Sequence, residues 1–426
     1  MTKFHSGFLL LLFVLNCFTP AWACSTYKVS VGNKTMVGSN YDTWFETPRI
    51  WFETNGYGTA FTGARADGEF GFAPQTGMNE FGLAFVTLAT ATPEKKRDLS
   101  DKKPIASRTN YLKDILHTCK TVDEVKVYIE QYDHSKLSND VFFYVDRSGK
   151  YLVVEPYELT LGNDPKYVLA NFCPSTITDF KSIRQARYKN GTAFLANKID
   201  SSLAFCTALS DTMHVCRPKH GDGTLLTSIL DLNAGITYLY FYHDYSNQIK
   251  FDLREELAKG DHYREIPALF PANSEFQKLK EYKTPLNSSR VDLFLKLCFV
   301  FFVFSALLFA VSFLFSKKNI PYRGYRLLMF PLSIIMAFYV FLLSTEMNLY
   351  FFPAPYSDGS LSLVTISSYI PFLLLVLIIP VLTINVKILK NSVWHFFPKC
   401  VFTLNSTVYL ALIVLFIYWG FYNVFE

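Results

Sequence analysis

The chain has 426 residues, of which 50% are hydrophobic and 18% are charged, and its formal net charge is +5. A charge this small over this length argues against nucleic acid as a partner. The sequence contains no dinucleotide-binding fingerprint, phosphate-binding glycine loop or cysteine pair with zinc-site spacing, so we expect neither a cofactor nor a metal. The length allows one sizeable soluble domain and a membrane portion.

The first 23 residues have the pattern of a cleavable secretory signal peptide. Lys3 and His5 precede an apolar run from Phe8 to Val14, and Ala21-Trp22-Ala23 follows. A charged start, an apolar centre and small residues flanking the cleavage region are typical of such signals. Cleavage after Ala23 would make Cys24 the first residue of an exported protein.

An N-terminal cysteine carries a thiol and an α-amino group on one residue. The thiol is only a few per cent ionised at neutral pH, so it needs a base before it can attack. The α-amino group titrates at roughly 7.7–8.0 and can take the thiol proton and later return it to a leaving amine. Two other interpretations are an accidental cysteine and the lipid-bearing cysteine of a bacterial lipoprotein. Trp22 and Ala21 disfavour the lipoprotein, because a lipobox has a small residue and preferably Leu at those positions.

The stretch after Cys24 is rich in predicted strands, with helices between them. Alternating residues predict a hairpin formed by strands 25–31 and 35–38 around a turn at 32–34. Further strands are predicted at 49–54, 82–87, 141–146, 151–155, 225–230 and 236–243. Helical spacing predicts helices at 110–119, 121–131 and 183–198, the second capped by Thr121. Sheets separated by helical pairs predict a layered α+β domain.

Four long apolar runs follow Arg290, where charged residues become rare. They cover about residues 293–315, 327–345, 363–386 and 401–422, each close to the ~20 residues that span a bilayer. We therefore expect a signal peptide (1–23), a soluble domain (24–285) and an all-α membrane domain with four transmembrane helices (286–426).

The loops between these helices indicate their orientation. Four Lys or Arg residues lie between the first two helices and three between the last two, whereas the middle loop, 346–360, has none. Basic loops stay in the cytoplasm, so the first helix runs from outside to inside and the soluble domain is extracytoplasmic. No ionisable residue lies in mid-span, which favours an anchor or docking platform over a transporter.

Five cysteines fall in the soluble domain, namely Cys24, Cys119, Cys173, Cys206 and Cys216. Thiols outside the cytoplasm tend to pair, and an odd total leaves one unpaired. Cys24 is the natural candidate to stay free, and Cys206 and Cys216 are close enough in sequence to bridge a hairpin.

Five short motifs carry a resemblance to a known family. They are Cys24-Ser25-Thr26, Gly38-Ser39-Asn40-Tyr41-Asp42-Thr43-Trp44, Asn79-Glu80-Phe81-Gly82-Leu83-Ala84, Leu169-Ala170-Asn171 and Arg187-Tyr188. Together they resemble the choloylglycine hydrolase and penicillin V acylase family and the related acyl-CoA:6-aminopenicillanic acid acyltransferases. The resemblance extends over about residues 24–270. It implies an N-terminal nucleophile hydrolase, a four-layered αββα sandwich that cleaves linear, non-peptide amide bonds.

The resemblance also implies roles for individual residues. Cys24 matches the nucleophile, and Asp42 matches the aspartate that orients the α-amino group. Asn171 matches the amide that donates to the oxyanion. Arg187 matches the arginine near the nucleophile, where its charge would lower the thiol pKa. Arg184, one helical turn earlier, competes with it, and each of these polar residues also has an ordinary turn, loop or surface interpretation.

Two positions depart from the family pattern. Ser39 stands where the bile-salt enzymes carry arginine, and Ala89 stands where they carry an asparagine of the oxyanion site. A side-chain donor is lost at Ala89, although its backbone N–H remains. These departures argue against a bile-salt substrate and favour the broader group of linear amidases and acyltransferases.

The sequence therefore predicts a membrane-anchored, extracytoplasmic cysteine amidase that acts on a small-molecule acyl amide through an acyl-thioester on Cys24. An acyltransferase, a non-catalytic membrane receptor or transport component, and a lipoprotein-like scaffold remain alternatives. A short signal and a high Phe content favour a bacterial inner membrane, and relatives of this kind often form homo-oligomers.

Overall fold

A computed structural model describes residues 23–43, 45, 47–68, 71–93, 98–99, 101–217, 222–315, 321, 323–346, 348–351, 363–390 and 394–423. Two compact units divide the chain, one of them Ala21–Tyr282 and the other including Lys283–Glu426. The predicted signal peptide, except Ala23, lies outside the described residues. Most of the loop at 346–360, whose lack of Lys and Arg helped to predict the membrane orientation, also lies outside the described residues.

Two antiparallel sheets form the centre of the first unit. The strands of the first sheet are β1 (Ala23–Val31), β2 (Lys34–Thr43), β14 (Lys166–Leu169), β15 (Cys216–Arg217), β16 (Asp222–Asp231), β17 (Ile236–Phe241) and β18 (Ile249–Asp252). Their order is β14-β1-β2-β16-β17-β18, and β15 also pairs with β16. The predicted hairpin is confirmed, since β1 and β2 turn at Gly32, whose positive φ of 58° suits glycine.

The second sheet has eight strands. They are β3 (Arg49–Glu53), β4 (Thr59–Gly63), β7 (Thr76–Asn79), β8 (Ala84–Ala89), β11 (Asp140–Val145), β12 (Tyr151–Val154), β13 (Leu159–Gly162) and β19 (His262–Glu265). Their order is β13-β12-β11-β8-β7-β4-β3-β19. Two short pairs lie apart from it, β5 (Arg65–Ala66) with β6 (Phe72–Ala73), and β9 (Lys103–Pro104) with β10 (Tyr132–Asp133).

Six helices accompany these sheets in the described part of the unit. They are α1 (Arg108–Thr118), α2 (Val122–Ile129), α3 (Ala186–Asn197), α4 (Leu203–Met213), α5 (Leu253–Leu257) and α6 (Ser274–Glu281). Thr121 caps α2 as predicted, because its side chain accepts a hydrogen bond from the Glu124 N–H. The predicted helix 183–198 begins only at Ala186, after a short 3₁₀ turn.

The helices cover the outer faces of the sheets. Leu195, Leu209 and Met213 of α3 and α4 pack with Tyr27 and Ile229 of the first sheet. A second apolar cluster joins α1 and α2 to the second sheet. The inner faces meet through buried hydroxyl groups, since the Thr76 side chain donates to Ser39 Oγ at 3.3 Å. This order of layers confirms the predicted αββα sandwich.

Strand alternation decides where Cys24 points. Successive side chains of a strand face opposite sides of the sheet. Tyr27 and Val29 of β1 pack in the cluster with α3 and α4. Cys24, an odd number of residues before both, therefore faces the second sheet.

Cys206 and Cys216 do not form the bridge that their closeness in sequence allowed. Cys206 lies on α4 with its thiol free and fully buried, whereas Cys216 is exposed on β15. Helix and strand send the two side chains into different surroundings, so closeness in sequence does not bring the sulfur atoms together.

The second unit contains the four predicted membrane helices. Its described helices are α7 (Ser289–Phe315), α8 (Arg323–Thr345), the short α9 (Asn348–Phe351) and α10 (Leu363–Ser367), α11 (Ile370–Lys390) and α12 (Phe396–Tyr418). Four helical segments are long and apolar enough to cross a membrane, the third of them running from Thr365 to Lys390. Inside this bundle, Asn405 of α12 donates to Ser305 Oγ of α7 at 3.0 Å.

Candidate active site

Cys24 lies at the start of β1 in the space between the two sheets. Its side chain is 1% exposed. The sulfur is 3.6 Å from Gln75 Nε2, which approaches from the second sheet, and 4.0 Å from the main-chain oxygen of Asp42. The nucleophile predicted from the sequence is therefore buried among polar groups.

Asn171 reaches Cys24 because β14 runs antiparallel to β1. Leu169 is opposite Thr26, so two residues further along the chain Asn171 arrives beside Cys24. The Cys24 N–H donates to Asn171 Oδ1 at 2.8 Å, and Asn171 Nδ2 donates to the Ala89 carbonyl at 2.7 Å. The amide thus connects the nitrogen of Cys24 to the end of β8. The predicted oxyanion role of Asn171 stays a prediction.

Arg187, near the start of α3, supplies the positive charge of the site. Its Nη2 donates to Asn171 Oδ1 at 2.7 Å, and its Nε donates to the Cys24 carbonyl at 3.2 Å. Gln185 fixes the main chain of Asn171. Its side-chain amide accepts a hydrogen bond from the Asn171 N–H and donates one to the Asn171 carbonyl. Arg184 is exposed. The structure therefore places Arg187, and not Arg184, beside Cys24.

Asp42 stands next to Cys24 in the β1–β2 register, opposite Ala23. Its carboxylate accepts a hydrogen bond of 2.5 Å from Thr224 Oγ1. A register shift between Thr224 and Leu226 of β16 brings Thr224 opposite Asp42. Such bulges re-aim side chains beside functional sites. The bulge therefore lets Thr224 hold the Asp42 carboxylate near the end of β2, next to the start of β1 where Cys24 lies.

Ala89 contributes main-chain groups from the end of β8. In an antiparallel pair, hydrogen-bonded and non-hydrogen-bonded residues alternate. The Thr90 N–H donates to the carbonyl of Asn139, the residue just before β11, and Ala89 is opposite Asp140. The N–H and C=O of Ala89 therefore point away from β11. Its C=O meets Asn171 Nδ2 on that side, and the predicted oxyanion role of the N–H stays a prediction.

The electrostatics of the described chain keep the thiol protonated. Burial raises the pKa of Cys24 to about 12, and the charge of Asp42 acts in the same direction, while Arg187 opposes them. In the described chain the nitrogen of Cys24 belongs to a peptide bond and cannot act as a base. In the described chain the Cys24 thiol is therefore protonated at neutral pH.

The predicted residues Cys24, Asp42, Asn171, Arg187 and Ala89 come together, and three further residues complete the site. Gln75, Gln185 and Thr224 were missed because none belongs to a motif, and only their tertiary contacts identify them. Among the described residues, no group of three or more His, Cys, Asp or Glu side chains could hold a metal ion.

Trp51 stacks on Phe61 in the core, with ring centroids 5.6 Å apart. Trp44 lies outside the described residues.

Three solved structures show what this chain is similar to. A single-residue variant of conjugated bile acid hydrolase from Clostridium perfringens matches 59% of this chain and 97% of its own, with 18% identity and a TM-score of 0.45. Penicillin V acylase from Agrobacterium tumefaciens matches 55% of this chain and 87% of its own, with 15% identity and a TM-score of 0.42. A second single-residue mutant of the Clostridium perfringens enzyme matches 59% of this chain and 97% of its own, with 15% identity and a TM-score of 0.40.

These structures are of the same two kinds of amide hydrolase that the sequence motifs resemble. No protein-family model matches the sequence, and no curated protein matches it.

Proposed function

We propose that the unit Ala21–Tyr282 is a cysteine amidase that cleaves a linear acyl amide after removal of the leader before Cys24. One observation carries the proposal. The nitrogen, carbonyl and sulfur of Cys24 are each contacted by a different polar side chain, namely Asn171, Arg187 and Gln75. An ordinary strand residue has no need of such contacts on both its main chain and its side chain.

The proposed reaction uses the α-amine and the thiol of Cys24. Once Cys24 is N-terminal, its α-amino nitrogen takes the thiol proton, and Sγ forms a bond to the acyl carbon. The carbonyl electron pair moves onto oxygen, and the tetrahedral intermediate then breaks its C–N bond. The departing amine takes the proton from the α-ammonium. Water attacks the thioester in the same way, which releases a carboxylic acid and restores the thiol.

Leader removal is the step that would activate the site. With the leader attached, the thiol has a pKa of about 12 and the Cys24 nitrogen is part of a peptide bond. Cleavage replaces the peptide nitrogen by an amine whose pKa is roughly 7.7–8.0. The same hydrogen bond to Asn171 then orients that amine. The precursor is on this proposal inactive until export.

The location follows from the same export step. We propose that the four apolar helices hold the enzyme in a membrane, with the catalytic unit on the extracytoplasmic side of a bacterial inner membrane. The basic loops predicted from the sequence support this orientation. A membrane anchor would suit a lipophilic amide substrate.

The decisive experiment is mass analysis of the N-terminus of the full chain purified from membranes. We expect a chain that begins at Cys24 with an unmodified amine, and labelling of that residue by iodoacetamide. We expect turnover of N-acyl-aminocoumarin amides, screened from acetyl to dodecanoyl and phenoxyacetyl. Cys24→Ser should abolish turnover without changing the melting temperature, while Cys119→Ser should retain it.

Other outcomes would replace the proposal. A diacylglycerol group on Cys24 would identify a lipoprotein scaffold. A mature chain that starts elsewhere, or turnover that survives Cys24→Ser, would remove the catalytic role of this residue. Faster aminocoumarin release when a second amine is added, with an amide as product, would identify an acyltransferase.

A further inference from the structure

Gln75 adjoins the second sheet, and its side chain reaches the sulfur of Cys24. It lies in the loop just before β7, and its side chain is only half-buried. Its Nε2 is 3.6 Å from Cys24 Sγ and 2.5 Å from the Thr87 carbonyl. A side-chain amide nitrogen has two hydrogen atoms to donate. One can therefore bond Thr87 while the other points at the sulfur.

The main chain holds this donor in place. The Gln75 N–H donates to the Thr62 carbonyl at 2.7 Å, and its carbonyl accepts from the Thr87 N–H at 2.9 Å. With the side-chain bond to Thr87, three hydrogen bonds fix Gln75 against β4 and β8. A donor that is already held beside the reacting atoms is the kind that stabilises a developing charge most effectively.

Gln75 also lies close to the position where the chain lacks a side-chain donor. Thr87 and Ala89 are two residues apart on β8, so their main-chain groups point to the same edge. Gln75 bonds that edge at Thr87, and the Ala89 main chain bonds Asn171 on it. Ala89 itself has no amide to offer. The Gln75 amide therefore occupies the neighbourhood in which a donor from position 89 would act.

We propose that Gln75 is a catalytic residue whose amide donates to the oxyanion formed when Cys24 attacks the acyl carbon. This inference rests on the proposed amidase function. As the S–C bond forms, the carbonyl π electrons move onto oxygen. The Gln75 N–H that faced the sulfur then shifts from sulfur, which is no longer a thiolate, to that oxygen without transferring its proton. The bond persists until the oxyanion returns its electron pair and the C–N bond breaks.

A purely structural role would be to tie the loop before β7 to β8. The two roles separate through kinetics. An oxyanion donor acts in the transition state, so its loss lowers kcat and leaves KM unchanged. A loop tie acts on stability and on substrate binding alike.

The test compares Gln75→Met with the wild-type full chain after leader removal. We expect kcat to fall about 100-fold to 1,000-fold, as for the loss of one oxyanion donor, with KM unchanged. Gln131→Met is the matched control, because Gln131 is an exposed glutamine at the end of α2, and it should behave as wild type. Ala89→Asn, combined with Gln75→Met, should restore part of kcat by supplying an amide from β8.

A substrate-independent measurement accompanies the kinetics. The rate of Cys24 alkylation by iodoacetamide, followed by mass analysis of the N-terminal peptide, reports the thiol pKa. Gln75→Met should raise that pKa by about one unit, because a hydrogen bond to a charged group is lost. Gln75→Glu, which keeps the side-chain length, provides a second variant if Gln75→Met does not fold.

The possible results separate the two proposals. If Cys24→Ser leaves turnover intact, the proposed cysteine mechanism itself fails. If Cys24→Ser abolishes turnover while both Gln75 variants keep the wild-type kcat and alkylation profile, only the role of Gln75 is overturned. A fall in melting temperature and KM effects without rescue by Ala89→Asn would assign Gln75 a structural role instead.

Discussion

The Asn171 side chain makes three hydrogen bonds in the site, so its removal tests the site most directly. Asn171→Ala deletes the acceptor for the Cys24 N–H, the acceptor for Arg187 and the donor to Ala89. Two bonds between neutral groups contribute about 0.5–1.5 kcal/mol each, and the bond to the guanidinium about 1.5–3 kcal/mol. Water can replace part of the lost hydrogen-bond free energy, because Asn171 is half-buried.

We therefore expect Asn171→Ala to lower the free energy of unfolding by about 2–3 kcal/mol. For a unit of this size that corresponds to a fall in melting temperature of about 4–12 °C. Intrinsic tryptophan fluorescence of the full chain in detergent measures it. Turnover of the aminocoumarin amide should fall about 100-fold or more, which is the loss expected when one oxyanion donor is removed.

Asn171→Asp serves as the matched variant. Its oxygen can still accept from Cys24 and Arg187, so only the bond to Ala89 is lost and the stability change should be smaller. The added charge stabilises the protonated α-amine and raises its pKa. Because the amine must be neutral to accept the thiol proton, the acid limb of the pH–rate profile should move to higher pH. If Asn171→Ala melts and turns over like the wild type, the assigned contacts do not support the site.

Three further predictions concern other residues. Arg187→Met should raise the thiol pKa of the nucleophile and slow its alkylation by iodoacetamide, whereas Arg184→Met should leave the rate unchanged, since Arg184 is exposed. Asn79→Ala should lower the free energy of unfolding by about 2–6 kcal/mol in a thermal melt, because the fully buried amide makes four main-chain hydrogen bonds. Burial alone would lower the pKa of His117, but its hydrogen bonds to Glu53 and to a main-chain carbonyl raise it overall. Its contribution to stability is present below about pH 6.5 and lost as the pH rises through the raised pKa, so the melting temperature should fall from pH 6 to pH 9, and less so in His117→Gln.

Local patterns explain why much of the fold could be predicted. The alternation in residues 25–31 and 35–38 requires only that one side of each strand be buried, and the observed β1 and β2 extend it by a few residues. The cap at Thr121 depends on neighbours three residues away. The membrane helices follow from apolar length alone. In each case the determining contacts are close in sequence.

The candidate site depends on contacts between distant segments. The sequence identified Cys24 by its position after the predicted leader, and it identified Asp42 and Asn171 by the motifs that contain them. Such prediction is possible because the chemistry allows only a few residue types at these positions. The sequence could not choose Arg187 over Arg184, because the choice depends on where α3 begins. The helix begins three residues later than predicted.

By itself the sequence determined a strand-rich domain with Cys24 near its start, followed by four apolar helices. The tertiary structure decided which polar groups meet that cysteine. Gln75 comes from the other sheet, and Thr224 reaches Asp42 through a bulge at a separation of 182 positions along the chain. Strand pairing and the stacking of two sheets set these distances, and no local periodicity encodes them.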